Sequence, residues 1–211
     1  MAKRAILTPI NLKAWCKLAK KSEIRNRMKK DSYSMAYPIL VSHFSGIRRW
    51  TWDDAMVGLH IVYGWMPTIP KLQKIMLWNE VKKQNLVKIL NQAKHGIVPS
   101  KQNLELLKSF CNNSIVGGSK LLHFLNPEVF PIWDSRVARA FFQKKKLDAN
   151  NINKWEIYQT TLTTWVKTRV VICEVKKLRS LGGSLGDATS LRLIESVMFQ
   201  KYVSKRNNPA K

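Results

Sequence analysis

Acidic residues are scarce in this chain. Thirteen Asp and Glu stand against 37 Lys and Arg among 211 residues, giving a formal charge of +24. The deficit excludes a surface of balanced ion pairs and costs self-repulsion in the compact state. A polyanionic partner relieves that repulsion, and nucleic acid comes first because displaced counterions drive such binding. Cysteine is scarce too. Cys16, Cys111 and Cys173 are far apart and odd in number, which excludes a disulfide framework and any zinc or iron–sulfur spacing. No metal or cofactor is expected. Long apolar runs are missing: none approaches the roughly 18 residues of a spanning helix. The N-terminal stretch is basic, and its short apolar segment is cut by Pro9, so no signal peptide is read and an intracellular protein is expected. Finally, period-two alternation flanked by hairpin turns is lacking, which argues against sheets.

What is present is apolar content with helical spacing. Apolar residues make up 45% of the chain and eight are tryptophan, enough for a core without covalent staples. Helices are expected over 11–30, over 34–45 with Pro38 limiting or kinking it, and from an N-cap at Thr51 through Trp65. Further helices are expected over 71–94, from Ser100 to about Asn112, over 119–125, from Asp134 to the Lys144–Lys146 cluster, over 151–180, and from Asp187 to about Val203. The chain therefore reads as an all-α, two-lobed helical bundle with a cleft between lobes, one compact unit over 1–211 ending in a mobile basic tail, 204–211.

The most informative stretch is GGSKLLHFLNPEVFPIWDSRVARAF, residues 117–141. Gly117 and Gly118 suit a tight turn. A helix starting at Ser119 would then offer unpaired amides to a phosphate. An ordinary glycine-capped helix hairpin explains the same residues. Asp134 follows the apolar run Phe130-Pro131-Ile132-Trp133 and precedes Arg136 and Arg139. An aspartate at a helix start caps amides. Beside an apolar wall it can also stay charged while facing a ligand, and stabilise a cationic sugar.

Gly118-Ser119-Lys120, followed by Pro131-Ile132-Trp133-Asp134-Ser135-Arg136-Val137-Ala138-Arg139, resembles the helix-hairpin-helix DNA glycosylase superfamily. The resemblance implies a helix-hairpin-helix and catalytic segment over 104–142. It implies that Asp134 is the family's essential aspartate and that Lys120 occupies the place of the lysine nucleophile of bifunctional members. It implies backbone contacts from Gly117, Gly118, Ser119, Arg136 and Arg139, and double-stranded DNA as partner to a monomer. Upstream, LHIVYGWMPTIP within 50–70 looks like the family's wedge loop. Trp65 and Met66 would then fill the gap left by a flipped base, with Tyr63, His60 and Trp133 as candidates for stacking on it. Two departures stand out. The family's usual Leu-Pro-Gly-x-Gly hairpin is here Ser114-Ile115-Val116-Gly117-Gly118, and Lys120 lies only 14 positions before Asp134. The expected activity is flipping of a damaged or modified base and cleavage of its N-glycosidic bond, with water or Lys120 attacking. The alternative is a non-catalytic basic helical protein that binds DNA or RNA.

Overall fold

The computed structural model describes residues 7–19, 32–66, 68–180 and 186–206. These form eleven helices and, among the described residues, no strand. They are α1 (Pro9–Ala19), α2 (Ser32–Gly46), α3 (Trp52–Trp65), α4 (Gln73–Met76), α5 (Glu80–Lys94), α6 (Lys101–Phe110), α7 (Ile115–Leu125), α8 (Ser135–Phe141), α9 (Ile152–Trp165), α10 (Arg169–Arg179) and α11 (Ser190–Arg206). The all-α expectation is met.

Local chemistry sets most helix starts. Thr51 and Asp54 form a capping box at α3, and Asn79, Ser100, Ser114 and Asn151 each accept an amide bond at the start of α5, α6, α7 and α9. Pro38 is accommodated inside α2. Four expectations are corrected. The 151–180 stretch is two helices, α9 and α10, separated at 166–168. The helix after Asp134 stops at Phe141, short of the lysine cluster. Thr189, not Asp187, caps the last helix, through a bond from the Arg192 amide. And α7 starts at Ile115, so both glycines lie inside it. Residues 20–31, 181–185 and 207–211, part of the first expected helix, the glycine-rich turn and the end of the tail, lie outside the described residues.

Helix α7 is central. It contacts α2, α3, α5 and α6, and nine of its residues, Gly117 to Ser119 among them, are buried. A helix that is apolar all round belongs inside. Helices α1, α8, α10 and α11 pack on one another, and both groups share one continuous apolar core. Gly117 explains the close approach of α3 to α7. A Cβ there would lie 2.9 Å from the Tyr63 hydroxyl and 3.2 Å from Cys111 Cβ. Trp50, Trp133 and Trp155 are fully buried. No helix of the described residues is long and apolar enough to cross a membrane.

Candidate functional site

The segment between α7 and α8 has no regular structure, yet residues 130–133 within it are buried. Buried carbonyls need partners, and here five find them. Thr189 Oγ1 donates to Pro127 O (3.0 Å), Gln159 Nε2 to Val129 O (3.2 Å), His123 Nδ1 to Phe130 O (2.6 Å) and the Tyr158 hydroxyl to Ile132 O (3.0 Å). Ser119 closes the set. Its Oγ accepts the Trp133 amide (3.2 Å) and donates to Val116 O (2.9 Å) or Trp133 O (3.2 Å). The bond between residues 119 and 133 has a direct consequence: it sets Lys120 on α7 beside Asp134 at the start of α8.

Asp134 is half-buried and caps α8. Its Oδ1 accepts the amides of Arg136 and Val137, both at 2.8 Å. Among the described residues Oδ2 accepts no hydrogen bond. Lys120 is half-buried, with Nζ 5.8 Å from the centre of the Trp65 ring. Burial disfavours its ammonium and lowers its pKa; Asp134 and Glu195 act against that fall, while Arg192 and Arg136 add to it.

The other half of this cluster comes from α11. Arg192 and Glu195 are ion-paired and buried. The Arg192 guanidinium lies 5.1 Å from the Tyr37 ring centre and 5.6 Å from that of Trp65. Trp65 thus has cations from two helices against it, an arrangement favoured by the ring's electron-rich faces. Burial pushes the Glu195 carboxyl up to about 7; Arg192 and Lys120 oppose the rise and Asp134 adds to it. Behind the cluster, His123 is neutral, its pKa lowered to about 3 mainly by burial. Because Nδ1–H donates to Phe130 O, its Nε2 accepts the Tyr37 hydroxyl at 2.9 Å. Comparison with protein-family models, curated proteins and solved structures found no match.

The structure therefore unites Asp134, Lys120, Trp65 and Arg136, and separates the rest of the expected set. The Arg136 guanidinium also faces Phe199, 4.8 Å from its ring centre. Met66 is the half-buried C-cap of α3. Trp133 is not available for stacking on a base. It is fully buried, donates to Ala149 O (2.7 Å) and packs on Tyr158 and Phe142. Tyr63 is buried as well, with its hydroxyl on Cys111 O. His60 is exposed and bonded to Met56 O one turn back. Gly117, Gly118 and Ser119 form no phosphate turn, because all three are buried within α7. Two amides at the start of α7 are also taken: Ile115 donates to Asn150 Oδ1 and Gly117 to Ser114 Oγ. The actual turn between α6 and α7 uses Asn112 and Asn113, both at positive φ, where asparagine substitutes for glycine. Arg139 folds back onto Ser135.

Arg192, Glu195, Tyr37 and His123 were not singled out from sequence. For the first two a signal existed. They stand three apart among Leu191, Leu193, Ile194, Val197 and Met198, and charge on an apolar stripe has to be paired. No group of three or more His, Cys, Asp or Glu side chains able to hold a metal occurs among the described residues.

Proposed function

We propose that the chain is a DNA glycosylase of the helix-hairpin-helix type, acting on a modified base turned out of the duplex. In this reading α6 and α7 are the hairpin pair, and the target nucleotide enters a cleft beside Trp65. Asp134 stabilises the positive charge that develops on the deoxyribose as the N-glycosidic bond breaks. Lys120, its ammonium disfavoured by burial, attacks C1′ through its free amine. A nitrogen–carbon bond forms, and the base leaves with the electron pair of the broken bond and takes up a proton. The resulting aminal opens to a Schiff base. Water held by Asp134 is the other possible nucleophile and yields a plain abasic site.

One observation carries the reading: the hydrogen-bonded tie between Ser119 and Trp133, which brings a lysine and an aspartate distant in sequence together at a half-buried tryptophan. The surplus of bases supports the DNA partner. Arg192 of α11 supports the chemistry, because burial and a neighbouring cation both disfavour the lysine's ammonium.

The test separates a charge from a cap. Asparagine caps helices about as well as aspartate, so Asp134→Asn keeps the fold and removes the charge. Expected is duplex binding within a factor of about two and base release lowered at least 100-fold, on the scale of losing one preorganised electrostatic group. The assay is abasic-site formation on a panel of duplexes, each with one modified base. Asp134→Ala additionally loses the cap, about 1 kcal/mol, and melts roughly 2–4 °C lower. If Asp134→Asn releases base at the wild-type rate, Asp134 is a helix cap alone; if wild type itself releases no base from any duplex of the panel, the chain is a binding protein.

A further inference from the structure

A second basic feature lies at the other end of α3. Trp52 and Trp65 are the first and last residues of this helix, roughly 20 Å apart at 1.5 Å per residue. Around Trp52 runs a groove of about 800 Å³ between the α2–α3 loop and α5. Arg48, Arg49, Lys83 and Lys88 line it against the single carboxylate of Glu80, with three side-chain amides between them. Glu80 is occupied by Lys83 at 2.7 Å. Arg48, Arg49 and Lys88 are exposed, and no carboxylate among the described residues pairs with them.

The groove is held in shape. Asn91 Oδ1 accepts the Trp50 amide (2.9 Å), and Nδ2 donates to Trp50 O (3.0 Å) and Val87 O (2.9 Å). This clamps the loop carrying both arginines to α5. Lys83 lies against the Trp52 ring, 5.5 Å from its centre, and that ring packs in turn on Trp78 and Phe110. The cations are thus fixed at their bases while their charged ends stay in water.

We propose that this groove is a second contact for duplex DNA, holding backbone phosphates away from the nucleotide engaged at Trp65. Charge complementarity selects a polyanion. Concavity and interleaved amides select a backbone over a flat bilayer, because amides and arginines share phosphate oxygens. The separation of roughly 20 Å equals about six base pairs at 3.4 Å each, so one duplex reaches both places. The inference rests on the DNA-binding half of the proposed function and not on its chemistry.

The experiment is titration of an unmodified duplex by fluorescence anisotropy across a salt series. It compares the full chain with the combined variant Arg48→Ala, Arg49→Ala, Lys88→Ala. Each neutralised phosphate contributes about 0.9 to the slope of log affinity against log salt. The expected result is a slope smaller by about two to three, with binding at least tenfold weaker at low salt. Lys88→Glu alone is expected to act in the same direction, which guards against a folding defect in the combined variant. An unchanged slope overturns the proposal, as does a loss confined to anionic lipid vesicles. Because the duplex carries no modified base, the outcome is independent of base release. A groove that fails with Asp134 still catalytic, or the reverse, tells the two readings apart.

Discussion

Glu195→Gln is the substitution that most directly reads the charge cluster, because its effect is a change in shape of the stability–pH curve. The carboxyl is buried and held at about 7 rather than 4.5. Within that interval the folded chain keeps a proton the unfolded chain has released. At about 1.4 kcal/mol per pH unit, this is on the order of 3 kcal/mol of stability, present in full below pH 4.5 and lost as the pH rises to 7. His123 acts in the opposite sense. Its imidazole is held at about 3 rather than 6.5, so its contribution is present in full above pH 6.5 and is lost as the pH falls towards 3. Between pH 4.5 and 6.5 the two slopes are one proton each and of opposite sign, and they cancel. Wild type should therefore melt at nearly constant temperature across this range. The variant keeps only the histidine slope. Its stability should climb by on the order of 3 kcal/mol from pH 4.5 to 6.5, or roughly 6–12 °C at about 2–4 °C per kcal/mol for a chain this size. Differential scanning calorimetry in a series of buffers gives both curves. The difference between them isolates residue 195, since every other titrating group is common to both. Parallel curves would refute the reasoning. Glu195 would then be ionised throughout, an ordinary partner of Arg192 with no coupling to Lys120.

Two further outcomes follow from the same contacts. Borohydride should trap a covalent adduct between wild type and a duplex carrying the excised base, and Lys120→Ala should trap none; trapping in neither, with base release intact, assigns the attack to water. Gly117→Ala should destabilise by about 1–3 kcal/mol through overpacking, since its Cβ would meet the Tyr63 hydroxyl at 2.9 Å. Tyr63→Phe added to it should restore part of the melting temperature, and equal melting of Gly117→Ala and wild type would contradict the packing role.

Much of the helix layout could be read from sequence because its signals are local. Thr51, Ser100 and Asp134 announce their helices through side chains that reach amides two or three residues on. The glycine pair misleads for a non-local reason. Gly117 and Gly118 look like a turn, but their missing side chains make room for Tyr63 and Leu107 on neighbouring helices. The turn itself is made earlier in the chain by Asn112 and Asn113 at positive φ, a weaker sequence mark. Trp133 misleads similarly. An aromatic beside Asp134 suggests a stacking surface, whereas the whole run from Phe130 to Trp133 is buried and Trp133 lies in the core. Half of the candidate site was hidden because α11 lies more than 50 residues after Asp134. Nothing local reveals that Arg192 and Glu195 face Lys120.

That hidden half changes how the site is understood. A buried ion pair such as Arg192 with Glu195 contributes little net stability, since desolvation offsets most of its attraction. Its physical consequence lies in the field it sets at Lys120. Arg192 disfavours the lysine's proton, whereas Glu195 favours that proton only once ionised. Below about pH 7 the carboxyl is largely neutral, so Arg192, Arg136 and burial act on the amine against Asp134 alone. Above it, the ionised carboxylate restores part of the ammonium. Glu195→Gln removes that second regime and leaves the amine freer at alkaline pH. If Lys120 is the attacking group, base release rises with pH as the amine loses its proton, and that rise should come at lower pH in the variant than in wild type while both coincide under acidic conditions. A variant profile that rises at the same pH as wild type would show that the α11 pair does not govern the lysine.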